Sequence, residues 1–321
     1  MNTMLKSRNR LIVRILPIIL TFSMLFQACQ PTKIQPNPTE SNPEVSATTT
    51  PTQQATSTTA QTSPSQPATA TATPTIIPEQ NLAELLDQAL IEGVDWHIGI
   101  ETLDGERLYA RNPDKIFFPA SMIKIPLAMV VLKILEYRGD TVEDIHNYGI
   151  GRNFSTMLEA MVIRSEEQAT MDLEYFARGS NRLRNYLDWW GLKKTTFNPR
   201  RSTVDDLLLA LKKIYTHEEL NDEFSNYLLD LMSTYTENDE NLLGVMLDDL
   251  PQCTFYNKRG TNLNPIAVAD MGILKCGEKT WYIAIAGSPS ADSKATYEDI
   301  QASLEQFGKF FSKYVQEQIS D

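Results

Sequence analysis

The stretch "FFPASMIKIPLAMVVLKIL", residues 117–135, constrains the fold more than any other part of the chain. Between Phe117 and Leu132 its only polar side chains are Ser121 and Lys124. A run this long and this apolar reads as a helix buried on all sides, which requires other elements to enclose it. On such a helix, positions i and i+3 share a face about one turn apart, so Ser121 and Lys124 can touch. A neutral lysine can take a serine proton once burial or a nearby cation lowers its pKa, and Met122, Ile123, Ile125 and Pro126 supply burial. A serine near the helix start also sits in the positive end of the helix dipole, which favours a developing oxyanion. Taken alone, the same residues are explained as readily by a capping serine and a snorkelling lysine.

The chain divides by composition. Residues 1–28 carry Lys6, Arg8, Arg10 and Arg14 before or within the apolar run "LIVRILPIILTFSMLFQA". A basic start, an apolar middle and a small final residue describe an export signal. The terminal "LFQAC" resembles the bacterial lipobox, which implies lipidation of Cys29; the other reading is an uncleaved membrane anchor, since the run is just long enough to span a bilayer. Either way the rest of the chain is expected outside the cytoplasm. Residues 30–78 are rich in Thr, Pro, Gln, Ser and Ala and hold no aromatic residue. Such a segment cannot bury enough apolar surface to offset its ordering entropy and reads as a disordered tether of roughly 40 Å reach. The domains are therefore expected as 1–28, 29–78 and 79–321, the last large enough for one proper core. A net charge of −12 argues against nucleic acid as a partner and against electrostatic adhesion to an anionic membrane.

Within the domain, "NLAELLDQALIEG" has helical spacing and stops at Gly93. "DWHIGIETLD" and "ERLYARN" flank the hairpin signal Asp104-Gly105. A helical block follows: "STMLEAMVI", "ATMDLEYFAR", "NRLRNYLDWWG", "STVDDLLLALKKIY" with Ser202 or Thr203 as N-cap, "NDEFSNYLLDLMSTY" and "NDENLLGVML". Strands return at "TFYNKRG", "IAVADMGIL" and "TWYIAIAG", and "TYEDIQASLEQFGKFFSKYV" closes the chain as an amphipathic helix. Strands at both ends and helices between them mean an α/β fold with an all-helical subdomain inserted. Cys253 and Cys276 flank a hairpin; with its turn near Asn264 they face each other, as a disulfide or as two reduced, half-buried thiols.

Three motifs occur in order: "PASMIK", then "RSEEQAT" (164–170), then "NKRGTN" (257–262) on a strand. Order and context resemble the S-x-x-K, S-D-N and K-T-G set shared by class A β-lactamases and penicillin-binding proteins. The resemblance spans about residues 82–318. It implies a five-stranded antiparallel sheet flanked by helices plus an all-helical subdomain. By position it implies Ser121 as acyl-accepting nucleophile, Lys124 as its proton acceptor and Ser165 as relay to the leaving nitrogen. Lys258 would supply charge for a substrate carboxylate and for tuning Ser165. The backbone N–H groups of Ser121 and Thr261, the latter following Gly260, would form the oxyanion hole. A Ser-Lys pair needs no histidine, so His97, His146 and His217 are expected to be structural or solvated. Neither metal nor cofactor is implied.

The chain departs from the family pattern at three places. Glu167 stands where an asparagine amide is usual, and could pair with Lys124 or serve as a base itself. Arg259 stands where a small hydroxyl residue is usual, and could bind a carboxylate or fill the pocket. The deacylating glutamate of the family has no counterpart: "GLKKTTFNPRR" is short, and no Glu occurs between Glu174 and Glu218. Asp205 and Asp206 read as helix-start acids. The resemblance thus implies a serine hydrolase acting through an acyl-enzyme on β-lactams or peptidoglycan-type amides and poor at deacylation. The alternative is a non-catalytic binder of cell-wall fragments or of a protein partner.

Overall fold

The computed structural model describes residues 81–178, 182–234 and 241–320. The expectations for the export segment, for Cys29 and for the 30–78 tether lie outside the described residues.

Helix α1 (Leu82–Asp87) starts at Asn81, whose side chain accepts from the Ala83 N–H. It is shorter than the 81–93 helix expected. After Asp87 the chain runs through tight turns and uses Gly93, at φ 75°, to enter β1. Past Asp87 the hydrogen bonds are of the tighter 3₁₀ kind, from Ala89 N–H to Leu86 O and from Leu90 N–H to Asp87 O, so the α-helix does not continue to Gly93. Strands β1 (Val94–Thr102) and β2 (Arg107–Arg111) form the expected hairpin. The inserted block follows: α2 (Lys124–Tyr137), α3 (Val142–Ile145), the short pair β3 (Gly149–Ile150) and β4 (Arg152–Asn153), α4 (Phe154–Val162), α5 (Glu167–Arg178) and α6 (Arg182–Trp189). A second short pair, β5 (Thr196–Phe197) and β6 (Arg200–Arg201), leads into α7 (Val204–Tyr215) and α8 (Asp222–Ser233). The chain closes with α9 (Met246–Asp249), β7 (Thr254–Leu263), β8 (Ile266–Cys276), β9 (Lys279–Pro289) and α10 (Tyr297–Ser320).

The five long strands form one antiparallel sheet in the order β2-β1-β9-β8-β7. Both faces are covered, so the central strands are apolar on alternate sides rather than on one. Ala269, Met271, Ile273, Tyr282, Ala284 and Ala286 face the core built around α2. Val268, Leu274, Ile283 and Ile285 face the other way, against Phe307 and Phe311 of α10. Helix α2 touches α4, α5, α6, α7 and α8, which is why residues 124–132 are all buried and why its sequence has no polar stripe.

The β7–β8 hairpin turns at Asn264–Pro265, with Leu263 paired to Ile266. That register carries Thr254 to Lys275 and leaves Cys253 opposite Cys276. The two are disulfide-bonded, with Cα atoms 4.4 Å apart.

Candidate active site

The Ser121 segment does not follow the single long helix expected over 117–135. Phe117 is tied to Ser202 by two backbone hydrogen bonds, of 2.9 and 3.2 Å. Ala120 then takes φ 45°, a left-handed conformation that interrupts any helix formed by residues with a Cβ. Ala120–Ile123 forms a 3₁₀ turn, opened by the Met122 N–H donating to Pro119 O at 3.0 Å, and only at Lys124 does α2 begin. In a 3₁₀ turn residues i and i+3 eclipse, so Ser121 and Lys124 remain on one edge although Ser121 is outside the α-helix.

Lys124 is 1% exposed, in a stretch whose neighbours Met122, Ile123, Ile125 and Leu127 are also buried. Its Nζ donates to the carbonyl oxygen of Ser165 at 2.7 Å and lies 3.2 Å from Glu167 Oε2. Burial pulls the amine below its ordinary pKa; Glu167 opposes that shift and the Arg200 guanidinium adds to it, with the net direction downward. The Glu167 carboxyl is pulled up by partial burial, but Arg200 and Lys124 outweigh this and hold it below its ordinary range. Glu166, its neighbour, turns away and pairs with Arg152 at 2.8 Å.

Ser165 precedes α5 at φ 55° and presents two groups in two directions. Its carbonyl takes the Lys124 proton donor, while its hydroxyl accepts from Lys258 Nζ. Lys258 is 3% exposed on β7, the edge strand that runs past the Ser121 turn. The approach is close: a Cβ on Gly260 would lie 2.8 Å from Pro119 O and 3.1 Å from Met122 N. Only glycine admits the strand at that distance.

Arg259 is placed differently from expectation. It pairs across the ladder with Asp270, and strand alternation turns it away from the side on which Lys258 meets Ser165 and Gly260 meets Pro119. Asp270 is fully buried and accepts from the Leu243 N–H at 3.1 Å and from Asn257 Nδ2 at 3.0 Å. Burial pushes its pKa up to about 7, with Leu243, Asn257 and Arg259 pulling the other way. Arg259 thus lies near enough to Asp270 to favour its carboxylate.

The short segment before α7 supplies no carboxylate to the cluster. Asp206 is taken up locally, accepting from Lys194 N and Thr195 Oγ1, both at 2.8 Å. Asp205 pairs with Arg107 at 2.8 Å. Thr203, not Ser202, is the N-cap. What the segment does supply is Arg200, which donates to Glu167 Oε1. Sequence reading missed Arg200; the signals were an unmatched carboxylate at Glu167 and the Pro-Arg-Arg of a tight turn, 33 residues apart. The histidines lie elsewhere: His97 stacks on Phe117, His146 lies edge-on to Tyr227, and His217 pairs with Asp222 at 2.7 Å.

Comparison with known proteins agrees with this architecture. The sequence profile described as the Beta-lactamase enzyme family matches residues 78–306. No curated protein matches the chain. Among solved structures, the TLA-1 extended-spectrum β-lactamase is similar at 21% identity and TM-score 0.60, over 73% of this chain and 98% of its own. PBP-A is similar at 19% identity and TM-score 0.59, over 75% and 99%. A class A β-lactamase of Bacteroides cellulosilyticus is similar at 14% identity and TM-score 0.60, over 74% and 99%. At these identities the likeness is one of fold, a five-stranded antiparallel sheet with helices. With the profile covering well over half its length, this chain belongs to the β-lactamase enzyme family.

Proposed function

We propose that the protein is a serine hydrolase of the β-lactamase and D-alanyl-D-alanine peptidase type, acylated on Ser121 by β-lactams or by peptidoglycan-type amides. The observation that carries this reading is the position of Ser165, whose carbonyl binds Lys124 and whose hydroxyl binds Lys258. Two buried amines are thereby tied to one residue beside the Ser121 turn. In the proposed reaction the Ser121 hydroxyl adds to the carbonyl carbon and its proton passes to Lys124. The N–H groups of Ser121 and Thr261 receive the oxyanion. The C–N bond then breaks, and Ser165 hands a proton to the departing nitrogen, with Lys258 favouring the negative charge that passes through its oxygen.

Release of the acyl group is expected to be slow. Among the described residues Glu167 is the carboxylate paired with Lys124, and each of its oxygens faces a cation. That lowers its basicity toward water. The same contact favours a second reading, a non-catalytic binder, because an amine paired with a carboxylate is a poorer base. The export segment and the Cys253–Cys276 disulfide support a location outside the cytoplasm. A lipid on Cys29 would tether the domain to the membrane.

Intact-mass spectrometry of the 79–321 domain mixed with benzylpenicillin, followed over time with Ser121→Ala as control, tests the proposal. A lasting adduct on Ser121 is expected. No adduct would favour the binder, and catalytic loss of the penicillin would show that a group here activates water after all.

A further inference from the structure

Glu167 is shared between two cations, one to each carboxylate oxygen. Oε2 faces Lys124 Nζ at 3.2 Å, and Oε1 accepts from Arg200 of β6. Lys124 is essentially inaccessible, Arg200 about one-fifth exposed and Glu167 half exposed, so the contact runs from the core outward to the surface. The groups facing Lys124 come from four places. Ser121 lies on its own 3₁₀ edge, the Ser165 carbonyl and Glu167 come from the start of α5, and Arg200 comes from β6; Lys258 of β7 acts through Ser165. Glu167 is the only one of these that stabilises an ammonium by full charge.

A lysine paired with a carboxylate alone stays protonated and cannot accept a proton from serine. Here the carboxylate is shared with a guanidinium, one oxygen to each cation. We infer that Arg200 is a positioning residue for acylation: by binding the second oxygen of Glu167 it competes with Lys124 for the carboxylate's charge, leaving the amine better able to accept the Ser121 proton. The inference rests on the acylation reading above. It adds no new step to it; the proton still leaves Ser121 Oγ for Lys124 Nζ as the O–C bond forms. Arg200 changes only how much free amine is present. Its effect on the Lys124 equilibrium has the required sign, since a second nearby cation disfavours the ammonium.

The experiment is the rate of labelling of the 79–321 domain by a fluorescent penicillin between pH 5 and 9. It compares wild type, Arg200→Ala, Arg200→Lys, Glu167→Gln and the Arg200→Ala/Glu167→Gln pair, with far-UV circular dichroism to check folding. Arg200→Ala is expected to label roughly tenfold or more slowly at neutral pH, with its rising limb moved to higher pH, as a rise in the Lys124 pKa would produce. Arg200→Lys should recover part of the loss. The double variant should recover more, because no carboxylate remains to hold the ammonium. A merely structural role for Arg200 would not be repaired by removing Glu167. If wild type labels and Arg200→Ala keeps both its rate and its pH profile, or the double variant is no faster than Arg200→Ala, this inference is overturned and the acylation reading stands. If wild type does not label at all, both fall. Should Arg200→Ala not fold, Arg200→Lys and Glu167→Gln still decide: neither shifting the pH profile would overturn the inference.

Discussion

Lys258 donates to the hydroxyl of Ser165, a residue 93 positions earlier in the chain. One is on the edge strand of the sheet and the other at the start of a helix in the inserted block. The contact therefore bridges the sheet and the inserted block at Ser165, whose carbonyl also accepts from Lys124.

Removing that bridge should slow acylation without dismantling the fold. Lys258→Ala is expected to lower the rate of penicillin labelling by about a hundredfold, the usual scale for loss of one charged group that stabilises a transition state. Ser165→Ala should fall in the same range. Rapid-mixing labelling followed by gel fluorescence measures both; rates within twofold of wild type would remove Ser165 and Lys258 from the mechanism.

Ser165 and Gly260 make opposite backbone demands. Ser165 holds φ 55°, so Ser165→Gly should be more stable than Ser165→Ala by about 1 kcal/mol. Gly260→Ala puts a methyl group against Pro119 O and should cost about 1–3 kcal/mol while displacing Thr261 from the Ser121 turn. Urea titrations of the three variants give these differences. A Gly260→Ala protein with unchanged stability and labelling would mean that the strand can step back at no cost.

The Cys253–Cys276 bond closes a hairpin whose register already pairs its strands. By chain entropy a loop with this 23-residue separation is worth about 3 kcal/mol. Replacing both cysteines by serine should lower stability by up to that amount and leave labelling by penicillin in place, since the bond lies at the end of β7 away from Lys258. Equal melting temperatures for the two proteins would count against it.

Asp270 should make stability depend on pH in a defined direction. Its folded pKa is raised to about 7 from an ordinary 3.8, chiefly by burial, so between those values the folded chain binds a proton that the unfolded chain has lost. Its contribution to stability is thus fully present below about pH 4 and lost as pH rises toward 7. Asp270→Asn should fall off less from pH 5 to pH 8 than wild type. Parallel curves of unfolding free energy against pH for the two proteins would refute the assignment.

What could be read from the chain alone was whatever depends on local spacing. The apolar run 125–132 announces a buried helix and the alternation in "IAVADMGIL" and "TWYIAIAG" announces strands, while the register that puts Cys253 opposite Cys276 came only with the structure. The proximity of Ser121 to Lys124 follows from three residues of separation whether the turn is α or 3₁₀. Tertiary structure alone decided the rest. Arg259 and Lys258 are neighbours in sequence, yet strand alternation sends one to Asp270 and the other to Ser165. Glu166 and Glu167 are neighbours too, and the start of α5 sends one to Arg152 and the other to Lys124. Arg200 reaches Glu167 only because β5 and β6 fold back against the Ser121 segment. Charge pairing of this kind depends on distances between elements far apart in the chain. No periodicity encodes such distances; the packing around α2 does.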